Sequence, residues 1–459
     1  MYDTIIIGAG MSGLAAGIRL AYYDQRVCIL ERHYTIGGLN SFYRMGGRDY
    51  DVGLHALTNF TPKGTRRGPL ARLLRQLRFS WDDFAIAPQV GSAIAFPGVT
   101  LHFDNDLALL ESEIDANFPS QVDNFRRLLG KIADYDELEN LGSQPSAREV
   151  LRETIDAPLL AEMLLCPLMY YGSAREDDID FDQFCIMFRA IYMEGLGRPY
   201  AGVRLILKNL VRKFRGLGGE LRLRSGVAKL GVHDGQVQRV VLENGEELQA
   251  RCILSSAGWV ETMRLCDDGQ ASEPRPAGQL SFCETIATLD VQPTELGHDR
   301  TIVFYNDSPE FAWRKPDELC DLRSGVICSP NNFCYDKPLA EGTMRVTTLA
   351  NFDRWKALEP EAYRLEKLRW SDRIAASAVR FVPDFRHHVI DTDMFTPTTV
   401  VRYTGHQNGA VYGAPRKQRD GTTHLKNLFI CGTDQGLLGI IGSILSGIAM
   451  ANRYALKTE

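Results

Sequence analysis

The first thirty residues hold the pattern that most restricts how this chain can fold. Residues 4–7, Thr-Ile-Ile-Ile, form a short apolar run rich in β-branched residues, which predicts a parallel strand buried on both faces. The sequence Gly-Ala-Gly-Met-Ser-Gly at 8–13 follows at once, and the small residues of 14–18 predict a helix. Strand, glycine-rich turn and helix in this order predict a site for the pyrophosphate of a dinucleotide.

Each glycine of this turn has a physical task. Gly8 permits the tight bend, Gly10 lets the backbone approach a pyrophosphate, and Gly13 lets the helix pack closely on the strand. Ser12 lies in the same turn, where the first helical N–H groups point toward the anion. We therefore expect all four residues at the dinucleotide.

A second strand is predicted at 26–30, and it ends at Glu31, 18 residues beyond Gly13. A carboxylate at this point accepts hydrogen bonds from an adenosine ribose. Because Glu31 would repel a 2′-phosphate, NADP is disfavoured, and FAD or NAD remain.

Three further patterns favour FAD. The pair Gly37-Gly38 and the segment 51–55, Asp-Val-Gly-Leu-His, follow the first unit, and a nicotinamide dehydrogenase has no need of this second glycine pair. Near the other end, 427–434 reads as a strand followed by an acidic turn, and 439–443 opens a helix. This arrangement could place Asp434 on a ribityl chain and a second helix N-terminus beneath a flavin.

These elements together resemble the flavin-dependent phytoene desaturase superfamily, most closely its carotenoid isomerase and retinol saturase branches. The shared motifs are D-x-G-x-H at 51–55, G-x-x-Y-G at 409–413, and G-x-D at 432–434 followed by Leu438-Gly439. The resemblance implies FAD as cofactor and a lipophilic substrate. It implies that the residue at Val227 contacts adenine. The implied FAD contacts are Gly8, Gly10, Ser12, Gly13, Glu31, Arg32, Gly37, Gly38, Leu39, Asn40, Val227, Gly432, Asp434, Gly439, Ile440 and Ile441.

One position departs from the family pattern. Relatives often carry arginine after the glycine pair, whereas this chain has Leu39-Asn40. Neutralisation of the pyrophosphate then falls to another cation, and Arg32 and Arg48 are the candidates.

The resemblance also predicts the fold class: α/β, with a discontinuous Rossmann-like FAD-binding domain and an inserted α+β substrate domain. The FAD-binding domain comprises 1–65, 199–270 and 396–459, and the substrate-binding domain comprises 66–198 and 271–395. The inserted part begins with helical patterns and continues with β patterns. The predicted helices are 151–155, 159–171, 181–194 and 362–379, and the predicted strands are 285–289, 301–305 and 345–349.

Composition excludes several classes of function. The 459 residues carry a formal net charge of −6, so no overall cationic field attracts nucleic acid. The ten cysteines are scattered without a C-x-x-C pair, which predicts neither a disulfide framework nor a metal site. The uncharged stretches 4–18 and 435–452 are dense in glycine and predict buried elements rather than a leader and a membrane span. We expect a cytoplasmic protein, or one bound peripherally at the inner face of a membrane.

Two histidines lie in the family-like segments. His55 and His406 are the candidates for catalysis, each either as a pocket residue near the flavin or as a structural hydrogen-bond partner, and an acid/base role is a further, less favoured option. A flavin exchanges hydride itself, so no metal or nucleophile is required. Since there is no second G-x-G-x-x-G pattern, we expect electrons to leave to oxygen, a quinone or a soluble carrier.

A basic amphipathic segment lies at 63–79. Its leucines recur at helical spacing at 70, 73, 74 and 77, and arginines stand at 66, 67, 72, 75 and 78. Such a helix either lies on an anionic bilayer or packs its leucines inside the protein with the arginines in solvent.

The leading hypothesis is an FAD enzyme that changes the saturation or double-bond geometry of a long isoprenoid or polyene of the carotenoid type. Desaturation, saturation and isomerisation all remain open. A flavin amine or porphyrinogen oxidase and a non-catalytic prenyl-lipid carrier of the GDP-dissociation-inhibitor type are the alternatives.

Overall fold

The computed structural model describes residues 1–53, 55–135, 145–269 and 275–456. Leu54 of the D-x-G-x-H segment and the predicted domain limits at 270, 271 and 459 lie outside the described residues. The strands in the described part are β1 (Tyr2–Ile7), β2 (Val27–Leu30), β3 (Phe42–Met45), β4 (Arg48–Asp51), β5 (Ile86–Pro88), β6 (Ser92–Phe96), β7 (Val99–Phe103), β8 (Gly197–Pro199), β9 (Glu220–Arg222), β10 (Val227–His233), β11 (Gln236–Leu242), β12 (Glu247–Leu248), β13 (Ala250–Ser255), β14 (Ser281–Leu289), β15 (Ile302–Asn306), β16 (Ser324–Cys328), β17 (Gly342–Ala350), β18 (Val389–Phe395) and β19 (Leu428–Ile430).

The α-helices lie between these strands, with one run in the first half of the chain. They are α1 (Met11–Ala21), α2 (Pro69–Leu77), α3 (Trp81–Phe84), α4 (Leu107–Asn117), α5 (Val122–Asp134), α6 (Ala147–Thr154), α7 (Pro158–Gly172), α8 (Phe181–Phe188), α9 (Val203–Gly216), α10 (Trp259–Leu265), α11 (Phe352–Lys356), α12 (Pro360–Ala378), α13 (Pro397–Thr404) and α14 (Gly439–Met450). A π-helical turn, Arg189–Met193, continues α8.

A five-stranded parallel sheet has the order β19-β13-β1-β2-β9. Its central strand β1 pairs Ile6 with Leu254 on one side and with Ile29 on the other. Ile6 and its two partners are buried, which accounts for the apolar run at 5–7 in β1. The five strands come from three separated parts of the chain, so the sheet is discontinuous as the sequence predicted.

Helices α1 and α14 pack against each other at this sheet. A Cβ placed on Gly447 of α14 would overlap the backbone carbonyl oxygen of Ser12, so the absence of a side chain lets the two helix backbones touch. Ile441, Ile444 and Ile448 of α14 are buried in the same core. The uncharged stretch 435–452 is therefore a packed interior helix.

A seven-stranded sheet has the order β18-β14-β17-β16-β15-β6-β7. All nine residues of β14 are buried, because helices cover both faces of this sheet. Cys283 and Ala287 pack with α12, whereas Phe282 packs with the helices that precede the sheet, including α7. Successive side chains of β14 thus enter two different cores, as the alternation of a strand requires.

The predicted fold class is confirmed: a Rossmann-like parallel sheet with an inserted α+β part. The helices predicted at 151–155, 159–171, 181–194 and 362–379 correspond to α6, α7, α8 with its π turn, and α12. The strands predicted at 285–289, 301–305 and 345–349 lie in or at β14, β15 and β17. The limits of the two domains stay a prediction.

Candidate functional site

The glycine turn connects β1 to α1 with the geometry that its sequence predicts. Gly8 has a φ of 96°, a conformation that glycine adopts without strain. A Cβ on Gly13 would overlap the carbonyl oxygen of Gly8, so the helix can approach the turn only with glycine there. A Cβ on Gly10 would meet nothing within 4 Å and would project into open space. That space is a cradle that a side chain at residue 10 would fill.

Glu31 follows β2 at the edge of this cradle. Its carboxylate accepts hydrogen bonds from the backbone N–H groups of Ala9 and His33, both at 2.9 Å. The residue is only 9% exposed, so its charge is held in place beside the glycine turn. This is the position that a ribose-binding carboxylate takes after the second strand of a dinucleotide fold.

We name the open space around this turn the glycine-turn cavity. Together with its mouth, which is open to solvent, it encloses about 1150 Å³ and extends from the turn to the segment after α13. Eleven of the residues proposed from the sequence line it: Gly8, Gly10, Ser12, Glu31, Arg32, Gly37, Gly38, Leu39, Asn40, Val227 and His406. Residues that are far apart in the chain therefore line one common space.

The second cavity, which we name the apolar cavity, adjoins the first one. It measures about 1020 Å³, and Leu39, Asn40, Thr433 and Ser443 line both cavities. Most of its other lining residues are apolar or aromatic, and His55, Gly439 and Ile440 from the sequence-based set are among them. The apolar and aromatic lining residues are Val52, Ala56, Tyr170, Tyr171, Phe282, Val326, Phe395, Val400, Val411, Tyr412 and Leu438.

Four proposed site residues line neither cavity: Gly13, Gly432, Asp434 and Ile441. Gly13 acts through helix packing, and Ile441 is wholly buried in the core of α1 and α14. A Cβ on Gly432 would lie 2.8 Å from the hydroxyl oxygen of Ser12, so this glycine lets the end of β19 approach α1.

Asp434 lies inside the protein, and its contact with a ribityl chain stays a prediction. Its carboxylate accepts hydrogen bonds from the N–H groups of Trp259 at 2.6 Å and Ala414 at 2.8 Å. The Lys417 ammonium lies 3.6 Å away. With both oxygens bonded and the residue 2% exposed, Asp434 joins three chain segments, and Thr433 is the residue of this turn that reaches the cavities.

Arg32 and Arg48, the two candidate counter-ions, lie in different places relative to the cavities. Arg32 lines the glycine-turn cavity, and its guanidinium donates to the carbonyl oxygens of Val401 and Arg402 at 3.2 and 3.1 Å. Arg48 lines neither cavity and is held by Glu341 and Asp391 at 2.8 and 2.9 Å. Of this pair, only Arg32 is placed to meet an anion in the glycine-turn cavity.

The two histidines lie in different cavities. His406 lines the glycine-turn cavity, where its Nδ1 is 3.7 Å from a carboxylate oxygen of Glu261. Burial opposes ionisation of Glu261, but His406 and the backbone N–H of Gln407 lower its pKa below the usual value. This histidine is therefore part of the wall of the glycine-turn cavity and not of the apolar cavity.

His55 lines the apolar cavity beside a buried charged pair. Its Nε2 lies 2.8 Å from the hydroxyl oxygen of Thr347 and 3.3 Å from Oε2 of Glu284. Glu284 is bonded in turn to the guanidinium of Arg345, and both residues are almost fully buried. Although burial opposes the charge, Arg345 and His55 lower the pKa of Glu284 to about 2. Glu284 is thus an ionised carboxylate at the wall of an apolar cavity.

Sequence reasoning missed Glu284, Arg345 and Thr347. The signal was present as polar residues among the apolar residues of β14 and β17, and all three are buried there. A charge in such a strand requires a buried partner.

The basic segment forms helix α2, and its orientation is settled by packing. Leu70, Leu73, Leu74 and Leu77 are buried in the core shared with α1 and α14, whereas Arg66, Arg67, Arg72, Arg75 and Arg78 are exposed. The apolar face is therefore occupied by the protein itself. Within the described residues, no helix is both long and apolar enough to cross a bilayer, and no group of three or more His, Cys, Asp or Glu residues could hold a metal ion.

Comparison with known proteins places this geometry in context. A family model described as an NAD(P)-binding Rossmann-like domain matches residues 6–77. Prolycopene isomerase 2 of an Oncidium hybrid cultivar is 23% identical over 500 residues, which cover 99% of this chain and 84% of the relative. All-trans-retinol 13,14-reductase of Danio rerio is 23% identical and covers 97% of this chain and 84% of its own length. Phytoene desaturase (lycopene-forming) of Pseudescherichia vulneris is 28% identical over 58% of this chain and 57% of its own length.

A solved structure of an oxidoreductase from Methanosarcina mazei superposes with a TM-score of 0.69 at 15% identity. The superposition covers 98% of this chain and 100% of the other. This likeness shows the fold alone.

Proposed function

We propose that this chain is an FAD-dependent enzyme that acts on carbon–carbon bonds of a long hydrophobic isoprenoid or polyene. The chain belongs to the phytoene desaturase-like superfamily of FAD oxidoreductases. The observation that carries the proposal is the junction of the two cavities, where Leu39, Asn40, Thr433 and Ser443 line both. FAD, when bound, supplies hydride exchange at its ring. The protein would hold the carbon skeleton in the apolar cavity beside that ring and exclude water.

The glycine-turn cavity fits the nucleotide part of FAD. The open cradle at Gly10 and the N-terminus of α1 would receive the pyrophosphate, and Glu31 would accept from the ribose hydroxyls. Arg32 would add the positive charge that the Leu39-Asn40 departure removed, and Val227 would lie against adenine. Gly439 and Ile440 line the apolar cavity at the start of α14, where a flavin ring would end.

The charges of the apolar cavity separate this proposal from two alternatives. A cationic amine requires a free carboxylate, but Glu284, the carboxylate in the described lining, is already paired with Arg345. The propionates of a porphyrinogen require cations, and no lysine or arginine is among the lining residues described. An uncharged polyene makes neither demand. A prenyl-lipid carrier would leave the adjoining glycine-turn cavity without a purpose.

Product analysis tests the proposal. The chain is expressed together with an isoprenoid pathway, and the lipid extracts are compared by mass spectrometry with extracts from cells carrying the Gly10→Val variant. The expected result is a polyene whose hydrogen count or double-bond geometry differs between the two strains, with flavin absorbance in the purified wild-type protein. Hydrogen peroxide release with polyamines or porphyrinogens, and no change in any polyene, would refute it. The same products decide between desaturation, saturation and isomerisation, and added oxygen, quinones or soluble carriers then identify the electron acceptor.

We also propose that this cytoplasmic protein contacts the inner face of a membrane through the exposed arginines around α2. The five arginines at 66, 67, 72, 75 and 78 form a local basic surface on a chain of net charge −6. Anionic lipids attract such a surface by about 1 kcal/mol per basic residue. Because the leucines of α2 are buried, this contact is electrostatic and falls with salt.

Vesicle sedimentation tests the contact. Wild-type protein is expected to sediment with phosphatidylserine vesicles and not with phosphatidylcholine vesicles, and Arg72→Glu together with Arg75→Glu is expected to abolish the difference. Arg364→Glu, an exposed site on α12, is the matched control. Equal sedimentation of both variants would contradict the proposed surface.

A further inference from the structure

We propose that Glu284 is a positioning residue that holds the Nε2 side of His55, so that Nδ1 of His55 moves the proton that accompanies hydride exchange in the apolar cavity. This inference rests on the proposed function and deepens it by naming the proton carrier and the group that orients it.

The ring of His55 is fixed from one side only. Nε2 lies within 3.3 Å of Glu284 Oε2 and 2.8 Å of Thr347 Oγ1, and the Thr347 hydroxyl also donates to Glu284 at 3.0 Å. Glu284 and Thr347 face each other directly in the register of β14 and β17. In the described part of the chain Nδ1 has no hydrogen-bond partner, although the residue lines the apolar cavity. One ring nitrogen is therefore held and the other is free for a substrate.

The backbone that carries His55 is fixed by two buried arginines. Arg345 donates to the carbonyl oxygen of Asp51 at 3.0 Å, and Arg198 pairs with the Asp51 carboxylate at 2.6 Å. Arg198 also reaches the carbonyl oxygen of His55 at 3.5 Å. Position and orientation of the imidazole are thus set by groups that are themselves buried, which is the requirement for a pre-organised proton carrier.

The charged and titratable groups described around His55 favour this residue as the proton carrier. Glu284 is ionised and contributes negative charge, while Arg345 and Arg198 neutralise the buried carboxylates behind it. From α7, Tyr171 approaches with ring centres 6.4 Å apart, and burial raises the pKa of its hydroxyl well above the usual value. The thiol of Cys328 lies 3.7 Å from the carbonyl oxygen of His55, and burial raises its pKa to about 12. Tyr171 and Cys328 therefore stay neutral at physiological pH, and of these neighbours Glu284 is the one whose charge faces the held Nε2 of His55.

The proton and the hydride are both accounted for in desaturation and in saturation. In desaturation, one carbon loses a hydride to the cofactor, and Nδ1 of His55 takes the proton from the neighbouring carbon. The electron pair of that second C–H bond becomes the new π bond. In saturation, the protonated ring would give its Nδ1 proton to one carbon, and the hydride for the other carbon would come from reduced FAD held beside the apolar cavity. Glu284 stabilises the charged ring in each case and does not transfer a proton itself.

The test compares Glu284→Gln, Thr347→Val and His55→Gln with the control Glu318→Gln, whose side chain in the native protein is 67% exposed on the surface. Each protein is prepared with FAD, and its flavin spectrum reports cofactor binding. Activity on the polyene identified by product analysis is measured from pH 5 to 9. Titration of the histidine ring signals by NMR supplies a readout that needs no substrate.

Glu284→Gln is expected to lower kcat on the order of 10²-fold with little change in KM, because proton transfer of this kind contributes about 10² to 10⁴ in rate. Loss of the nearby negative charge is expected to make the pH dependence of activity differ from that of the wild type. The ring signal that is missing in His55→Gln is expected to differ from the wild type in the same way. Thr347→Val keeps Glu284 paired with Arg345 and is expected to lower kcat by a smaller factor. This variant tests the proposal even if Glu284→Gln does not fold.

The measurements distinguish a failure of the role of Glu284 from a failure of the proposed function. Wild-type activity on a polyene with unchanged kcat and pH midpoint in Glu284→Gln and Thr347→Val would overturn the role of Glu284 alone. A flavin-loaded wild type that leaves every polyene unchanged would overturn the proposed function and, with it, this role. A shifted NMR midpoint together with unaltered kcat would leave Glu284 as a structural partner of His55 and would also overturn the proposal.

Discussion

The depressed pKa of Glu284 predicts how the stability of this protein depends on pH. In the folded protein that pKa is about 2, whereas an ordinary glutamate has 4.5. A carboxyl group with a lowered folded pKa stabilises the fold above its unfolded pKa, and this contribution is lost as pH falls from about 4.5 toward 2. Because Glu284 is only 1% exposed, solvent screening reduces this contribution little.

The magnitude follows from the two pKa values. Between pH 7 and pH 3.5, proton linkage removes about 1.4 kcal/mol of stability, close to a tenfold change in the unfolding constant. Glu284→Gln cannot titrate, so the variant is expected to lack this part of the pH dependence. The variant is also expected to be less stable at pH 7 by about 3–5 kcal/mol, since Arg345 loses its buried partner.

Urea titrations at pH 7, 5 and 3.5, followed by intrinsic fluorescence, measure the free energy of unfolding. The expected result is that the gap between wild type and Glu284→Gln narrows by about 1.4 kcal/mol from pH 7 to pH 3.5. Glu318→Gln, a surface change, is expected to follow wild type. A gap between wild type and Glu284→Gln that is the same at all three pH values would show that Glu284 is not held ionised by Arg345.

Three shorter predictions concern the cofactor site and the packing. Gly10→Val is expected to fill the cradle and abolish FAD binding in a fluorescence titration. Gly130→Val on α5, which also faces open space, is the control and is expected to bind FAD normally. Normal affinity in both variants would contradict binding of the pyrophosphate at Gly10. Arg32→Gln is expected to weaken FAD binding about tenfold, or about 1.4 kcal/mol, and Arg48→Gln is expected to leave it unchanged; the reverse order would point to another counter-ion site. Leu74→Ala is expected to lower the free energy of unfolding by about 2–5 kcal/mol in urea titrations, because Leu74 is buried; a loss below about 0.5 kcal/mol would mean that α2 is not packed as described.

The parts of the fold that local sequence determines were predictable. The glycine turn requires a positive φ at Gly8 and close packing at Gly13, and these requirements appear in the sequence as residue types at fixed spacing. The apolar run at 5–7 of β1 was predictable for a similar reason, because this part of the strand is buried. The amphipathic helix α2 was predictable as a helix, but both its interpretations share one pattern, and only packing against α14 decided between them.

The charged part of the site could not be predicted, because it depends on long-range register. His55 meets Thr347 across 292 positions of sequence, and Glu284 faces Thr347 only through the pairing of β14 with β17. Asp434 illustrates the same limit, since its partners Trp259 and Ala414 come from distant segments that no local pattern connects to it. Polar residues in buried strands show that partners exist but do not identify them.

The order of the parallel sheet has a consequence for synthesis of the protein. Strand β19, at 428–430, pairs with β13, and α14 behind it packs on the helix that starts the chain. Helix α1 therefore acquires this neighbour only after both C-terminal elements have been synthesised. Until then the face of α1 that α14 covers in the folded protein is exposed, which makes this face the expected contact for a chaperone on the growing chain.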